Sequence, residues 1–189
     1  MMLDSLNEKT FGKNNTVTNS FMLLMDDIGT DVAKETIQFL IESNFAAVEG
    51  KPDILNMIIC SPGGELASAW AIIDVMRSSE IPIRTIGLGE ICSAGLMIFL
   101  AGSKGNRVLT PNTSIMSHRF SAGSRGKQHE LFAIQKEYDL SGERMMDHYK
   151  KTTGMKEKDI KKYLLPPEDV YLSSSEALKY GICDKVALL

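Results

Sequence analysis

Two short runs of apolar residues, Ile54–Cys60 and Ile83–Leu88, constrain the fold more than any other feature of the sequence. The run Ile54–Cys60 is apolar on both faces, which is typical of a strand buried inside a parallel sheet, and Ile83–Leu88 is the next strand candidate along the chain. A stretch of helical periodicity between Ala67 and Val75 separates them. A third apolar run, Phe21–Met25, is a further candidate for a buried strand. This alternation predicts an α/β fold of repeated βαβ units with right-handed crossovers.

Length and composition agree with one globular domain of ordinary size. The chain has 189 residues, of which 43% are apolar and 24% charged, so a core is expected and wholesale disorder is not. Residues 1–20 are largely polar and show no sustained periodicity, and we expect them to form a flexible N-terminal arm. Residues 21–189 are then expected to form a single domain.

Charge and cysteine content argue against several classes of protein. The formal net charge of −3 is unlike that of a nucleic-acid-binding protein, which is usually basic. No run of about 20 apolar residues is present to cross a membrane, and the N-terminus lacks the apolar core of a signal peptide. The cysteines are odd in number and lack metal-ligand spacing, as expected in a reducing compartment. These features predict a cytoplasmic protein with no metal site.

A long helical pattern extends from about Gln128 to Lys151, and Gly154 is expected to end it. One face of this helix carries apolar and aromatic side chains: Leu131, Ile134, Tyr138, Met145 and Tyr149. His129 and His148 are placed off that face by this pattern. We therefore expect both imidazoles to be solvated.

Small residues around Ser93 form the most informative local signal. The preceding strand is expected to end at Gly89, so that Ser93 lies at the start of a helix. A helix N-terminus offers free N–H donors and a partial positive charge, which favour an alkoxide or an oxyanion. These residues alone explain Ser93 equally well as a helix N-cap. Cys92 is a weaker candidate nucleophile, because we expect its side chain to pack inward.

A serine nucleophile needs an adjacent base, and His118 is the best candidate among the three histidines. It follows the strand-like segment Ser114–Ser117, and catalytic side chains favour strand ends in α/β sheets. Asp169 is a possible orienting carboxylate, but its local sequence is explained as well by an ordinary turn. The turn Ser61–Gly64 ends in two glycines whose N–H groups could donate to an oxyanion, although such turns are common.

Taken together, these segments resemble the proteolytic subunit of the Clp protease, the ClpP family of serine peptidases. The resemblance extends from about residue 21 to residue 186 and lies in the order and spacing of several motifs. These motifs are Ser61-Pro-Gly-Gly64, Gly89-Glu-Ile-Cys-Ser93-Ala-Gly95, Ala101-Gly-Ser-Lys-Gly-Asn-Arg107, Pro111-Asn112, Met116-Ser-His118 and Asp169-Val-Tyr-Leu-Ser173. The resemblance implies the ClpP/crotonase-like fold, with a protruding handle strand and helix at about residues 119–153.

The same resemblance implies a Ser-His-Asp triad. Ser93 would be the nucleophile, His118 the general base and Asp169 the carboxylate that orients the imidazole. The family's oxyanion donors fall on the backbone N–H groups of Gly64 and Ala94. A peptide substrate would add a strand between two short segments. These segments are represented by Glu65, Leu66, Ser121 and Ala122.

Membership in this family would imply two stacked seven-membered rings of the chain, which enclose unfolded polypeptide substrates in a chamber. A hexameric AAA+ unfoldase would be the partner and the only user of ATP, so the chain itself would need no cofactor. The family docks this unfoldase in an aromatic-lined pocket, but the corresponding positions here carry no aromatic side chain, which predicts weaker docking. Those positions are Asn56, Ile58, Ser78 and Val108. A second departure is Arg119-Phe120 after His118, where the family usually has glutamine and proline.

Two alternatives stay open at the level of sequence. One is a catalytically silent or regulatory subunit that assembles with another ClpP-like chain, which the altered docking positions favour and the complete triad opposes. The other is an acyl-CoA hydratase or isomerase of the related crotonase fold, which the short chain and the Ser–His pair oppose.

Overall fold

The computed structural model describes residues 20–45 and 51–188. Strands and helices alternate along the first half of the chain, and one long helix dominates the second half. In chain order the elements are β1 (Phe21–Leu24), α1 (Thr30–Phe45), β2 (Leu55–Ser61), α2 (Leu66–Ser78), β3 (Ile83–Cys92), α3 (Ala94–Leu100), β4 (Arg107–Leu109), β5 (Ser114–Ser117), α4 (Gln128–Thr153), α5 (Glu157–Tyr163), β6 (Val170–Leu172), α6 (Ser174–Lys179) and β7 (Lys185–Val186).

The sheet is parallel along its main path, as the apolar runs predict. Its strand order is β1-β2-β3-β4-β7, and each neighbouring pair is parallel. On the edge away from β2, strand β3 pairs with two strands: Thr85–Gly87 pairs with β4, and Glu90–Cys92 pairs with β5. Strand β6 then joins the far side of β5 in antiparallel orientation. The α/β fold predicted from the sequence is therefore confirmed.

The core lies between the sheet and the helices that cover it. One face of strand β2 is fully buried and consists of Leu55, Met57 and Ile59, while Ile58 and Cys60 on the other face are half-buried. Helix α3 is buried over its whole length. Such a helix can be apolar all round because neighbouring elements surround it.

Two strands differ from the sequence-based expectation. Strand β1 is an edge strand with Leu23 61% exposed, so the prediction of a buried strand at this position was wrong. Strand β3 does not end at Gly89 but continues to Cys92, so that Ser93 follows the strand directly. Gly89 adopts a φ of 67°, and the register between β2 and β3 shifts near this point. The glycine therefore bends the strand without ending it.

Helix α4 has 26 residues, which corresponds to a length of about 39 Å. Its C-terminal half packs on the core, and its N-terminal half is exposed, including Phe132 at 69%. Gly154 caps the helix in a left-handed conformation, as predicted. The strand expected ahead of the helix is not formed, because residues 119–127 have no regular secondary structure and nearly all of them are exposed. Within residues 20–45 and 51–188, no helix has both the length and the hydropathy required to cross a membrane.

Candidate active site

Ser93 lies in the sharp turn between β3 and α3, in a backbone conformation that most residues avoid. Its φ is 50°, and among the described residues it is the only non-glycine residue with a positive φ. Its N–H donates to the carbonyl of Met116 at 2.9 Å, which ties the turn to β5. A strained residue of this kind persists only where the surrounding structure fixes it, and such residues concentrate at functional sites.

The structure brings the three predicted triad side chains together. The Nε2 atom of His118 lies 2.8 Å from the Oγ of Ser93, although 25 positions separate them in sequence. On the other side of the ring, Nδ1 of His118 lies 3.2 Å from Oδ1 of Asp169. The hydroxyl is thus hydrogen-bonded to the imidazole, and the carboxylate lies in contact with the far side of the ring, which is the arrangement that activates a serine.

The pairing of β5 with β6 explains how His118 and Asp169 meet. Ser117 and Val170 are opposite each other in this antiparallel pair. His118 directly follows one of these residues, and Asp169 directly precedes the other, so the two side chains emerge at the same end of the two strands. The parallel pairing of β3 with β5 places this end beside Ser93.

The turn Ser61–Gly64 packs closely against Ser93. A Cβ built on Gly63 would lie 2.8 Å from the Cβ of Ser93, and a Cβ built on Gly64 would lie 2.3 Å from the carbonyl oxygen of Ile28. Both glycines have a positive φ, so neither space nor backbone conformation tolerates a side chain. Within the described parts of the chain, neither the Gly64 N–H nor the Ala94 N–H has a hydrogen-bond partner. Two unpaired donors therefore flank the hydroxyl.

A groove of about 650 Å³ opens beside Ser93 and His118. All four residues predicted to pair with a substrate strand line it, namely Glu65, Leu66, Ser121 and Ala122. Sequence reasoning did not identify its remaining walls, which include Met116, Phe120, Glu137, Tyr138 and Ser141. The rings of Phe120 and Tyr138 meet edge to face with centroids 5.9 Å apart, so the segment after β5 packs on α4 and closes one side. The wall residues on α4 are Glu137, Tyr138 and Ser141, and their spacing of three and four positions is a sequence signal that they share one face of the helix.

Cys92 faces the interior, as expected, with 6% of its surface exposed. Burial raises the pKa of its thiol to about 11, and the nearby Glu90 carboxylate adds to this effect. Because the thiolate is the reactive form, a thiol with so high a pKa is a poor nucleophile at neutral pH. These properties favour Ser93 over its neighbour.

The two histidines of α4 differ from each other. His129 is exposed, as predicted, but His148 is only 1% exposed, so the prediction that it is solvated was wrong. His148 lies three residues after the buried Met145 and next to the buried Tyr149, which places it on the inner face of the helix. The spacing of these residues was the signal that should have placed it there.

The positions that correspond to the family's docking pocket lie on two strands, β2 and β4, and on helix α2. Asn56 is 5% exposed, and its side chain accepts a hydrogen bond from Arg84 at 3.3 Å. Ile58 and Val108 are in register with Ile86 between them, which forms a short apolar row across β2, β3 and β4. Ser78 instead lines a separate groove of about 340 Å³. That groove also contains Leu40, Ile41, Phe45 and Val75.

Comparisons with known proteins agree with this architecture. A family model described as Clp protease matches residues 8–188 of the chain. An ATP-dependent Clp protease proteolytic subunit of Deinococcus radiodurans is 33% identical over 160 residues, which are 84% of this chain and 78% of that protein. A protein of the same description from Paracoccus denitrificans is 32% identical over 165 residues, covering 87% of this chain and 80% of its own.

A solved structure supports the same relationship. The chain is similar to a point mutant of ClpP1 from Listeria monocytogenes, with a TM-score of 0.78 and 26% sequence identity, over 90% of this chain and 92% of that one. The agreement covers nearly the whole length of both chains. The chain belongs to the Clp protease family and is a serine endopeptidase of the ClpP type.

Proposed function

We propose that Ser93, His118 and Asp169 form the catalytic triad of this peptidase. The observation that carries the proposal is the placement of His118 between the other two side chains: its Nε2 is hydrogen-bonded to the Ser93 hydroxyl at 2.8 Å, and its Nδ1 lies 3.2 Å from the Asp169 carboxylate. No other described histidine lies beside a serine in the substrate groove. The proposal needs no metal or cofactor, because nucleophile, base and oxyanion donors all come from the chain.

In the proposed reaction, the Ser93 Oγ attacks the carbonyl carbon of the scissile peptide bond. Its proton passes to Nε2 of His118, and Asp169 accepts the Nδ1–H and stabilises the imidazolium that forms. The negative charge on the carbonyl oxygen is stabilised by the N–H groups of Gly64 and Ala94. His118 then gives its proton to the leaving amine, and a water molecule releases the acyl group by the same steps.

We propose that the substrate lies in the groove as an extended strand beside Glu65, Leu66, Ser121 and Ala122. Main-chain hydrogen bonds would then hold the peptide with little dependence on its sequence. Leu66 is the first residue of α2, so its N–H has no intrahelical acceptor and is free to donate. This mode of binding suits unfolded polypeptides.

Family membership implies an oligomeric ring and an AAA+ partner in general. We propose that this chain forms two stacked seven-membered rings in the cytoplasm. The exposed apolar side chains on the outer half of α4 support an assembly through that helix, since a monomer would leave them in water. These side chains are Leu131, Phe132 and Leu140. Light scattering at micromolar concentration should show the assembly, and a monomer alone would contradict it.

Docking of an unfoldase is proposed to be weaker than in the family's usual pocket, because Asn56 is polar and engaged with Arg84. The groove at Ser78 offers one aromatic side chain, Phe45, which is 84% exposed. A pull-down with an AAA+ unfoldase of the host tests this point. Tight binding would show that the altered surface is sufficient, and ATP would be consumed by that partner alone.

A peptidase assay tests the proposed mechanism. The wild-type protein should hydrolyse a fluorogenic peptide, and Ser93→Ala should abolish hydrolysis while leaving the assembly unchanged. An assembled wild-type protein without activity on any peptide or unfolded protein would instead favour the catalytically silent subunit. Turnover of an acyl-CoA ester would favour the crotonase-type alternative.

A further inference from the structure

His148 is a buried histidine that the proposed mechanism does not use. It lies on the inner face of α4 and is 1% exposed. Its ring meets that of Trp70 on α2 edge to face, with centroids 5.6 Å apart. Its two nitrogens contact two further groups, the guanidinium of Arg77 at 2.8 Å and the carbonyl of Met97 at 2.9 Å. One side chain thus joins α4 to both α2 and α3.

The partners of the ring define its protonation state. The Arg77 guanidinium has only donors, so Nδ1 of His148 must accept, and the ring proton is on Nε2, which donates to Met97. Burial lowers the pKa of His148 to about 4, and the charges of Arg77 and Lys151 act in the same direction, against the bond to Met97. The imidazole is therefore neutral at neutral pH. This is the form that the two hydrogen bonds require.

The Met97 carbonyl needs this donor because the helix does not supply one. In a continued α-helix the N–H of Ala101 would bond to Met97, but it bonds to the carbonyl of Ile98 at 3.0 Å as α3 tightens at its end. A buried carbonyl without a partner is costly. His148 supplies the missing donor from a different helix.

Met97 also forms a hydrogen bond to Ser93. The N–H of Met97 donates to the carbonyl of Ser93 at 3.2 Å, so two hydrogen bonds lead from His148 through the backbone of Met97 to Ser93. On its other side Ser93 is held by its bond to Met116. A residue with a φ of 50° depends on such fixed points on both sides.

We propose that His148 is a positioning residue for the catalytic serine. Through Met97 it holds helix α3 in place, and with it the strained backbone of Ser93 and the N–H of Ala94. The active site is thereby coupled to α4 and, through Arg77, to α2. This inference rests on the proposed catalytic role of Ser93.

The test compares two substitutions of His148 with one of His129, the exposed histidine of the same helix. His148→Leu removes both hydrogen bonds, His148→Gln keeps one donor and one acceptor, and His129→Leu is the matched control.

The measurements are the rate constant for inactivation by a fluorophosphonate, together with kcat and KM for a fluorogenic peptide, on assemblies of equal size. We expect His148→Leu to lower the inactivation rate constant and kcat by about tenfold or more, since small displacements of catalytic groups have effects of this order. KM should change little, His148→Gln should recover most of the loss, and His129→Leu should match the wild type.

A purely structural His148 predicts a different pattern. His148→Leu would then lower the melting temperature but leave kcat and the inactivation rate constant of the folded protein at wild-type values, and that result would overturn the proposal. If His148→Leu does not fold, His148→Asn takes its place, because the shorter amide stays polar but does not reach from α4 to the Met97 carbonyl. A several-fold lower kcat at unchanged KM supports the proposal, and wild-type kinetics refute it. Failure of the wild type itself to react would refute the proposed role of Ser93 instead.

Discussion

The Nε2 atom of His118 lies 2.8 Å from the hydroxyl oxygen of Ser93. This contact joins the end of β5 to the turn after β3, two places that the chain reaches by separate crossovers. The pairing of β3, β5 and β6 therefore brings the site residues together, and the buried helix α3 packs directly after Ser93.

Asp169→Asn should lower kcat by about 100-fold or more, which is within the usual contribution of acid–base groups. An amide can donate to Nδ1 of His118 and so favour the tautomer with its proton on Nε2, where the ring can no longer accept from Ser93. The measurement is steady-state peptide hydrolysis. Glu168→Gln, one position earlier in the chain, is the matched control and should retain wild-type activity. Equal activity of both variants would exclude Asp169 from the triad.

Gly64→Ala should lower kcat by about 10²–10³-fold, the usual effect of losing an oxyanion donor. A Cβ at this position would lie 2.3 Å from the Ile28 carbonyl oxygen, so the turn must shift and displace the Gly64 N–H. Gly29→Ala is the control, because a Cβ at Gly29 has no atom within 4 Å. Both are measured by peptide hydrolysis and by circular dichroism. A fully active Gly64→Ala protein would show that this N–H does not stabilise the oxyanion.

Asp184→Asn should lower the free energy of unfolding by about 3–5 kcal/mol, as expected when one partner of a buried ion pair is removed. Arg107 is 3% exposed, and its guanidinium donates to both carboxylate oxygens of Asp184, at 2.6 and 2.9 Å, and to the Thr152 carbonyl. Burial would raise the pKa of Asp184, but its hydrogen bonds to Arg107 and Gly105 outweigh burial and keep that pKa below its ordinary value.

Urea unfolding at fixed protein concentration measures the effect of Asp184→Asn. The exposed pair of Lys161 and Glu157 provides the comparison, and Glu157→Gln should have a far smaller effect because solvent screens surface ion pairs. If the two variants are equally stable, the buried pair does not hold α4 and β7 on the sheet.

The stability of the wild type should fall as pH decreases from about 6.5 to about 4. His148 has a pKa of about 4 when folded and an ordinary value of 6.5, so the unfolded chain binds the proton first. The stability that depends on a neutral ring is complete above pH 6.5 and is lost as the pH falls towards 4, by on the order of 3 kcal/mol. His148 lines a small cavity that also carries charged side chains, namely Asp74, Arg77, Arg144, Asp147 and Lys151.

Denaturant unfolding at a series of pH values, with protomer concentration fixed, measures this dependence. His148→Leu should have a flatter profile between pH 6.5 and 4, and His129→Leu should keep the wild-type profile. Identical profiles for His148→Leu and the wild type would show that the imidazole does not titrate with folding.

Features that depend on neighbouring residues in sequence could be predicted, whereas contacts between distant elements could not. The buried strands β2 and β3 were evident from their apolar runs, and the turn at Ser93 from its small residues, because both depend on local sequence. The side chains of His148 and Arg107 find their partners on other elements, 51 and 77 positions away. The edge position of β1 is likewise a property of the strand order, which no local pattern specifies.

The central claim is that Ser93 is an activated nucleophile. Treatment of the assembled protein with a fluorophosphonate, followed by intact-mass analysis and peptide mapping, tests this claim most directly. The account predicts one modification per chain, located on Ser93, and none in Ser93→Ala. An assembled wild-type protein that stays unmodified, or that is modified on a different residue, would contradict it.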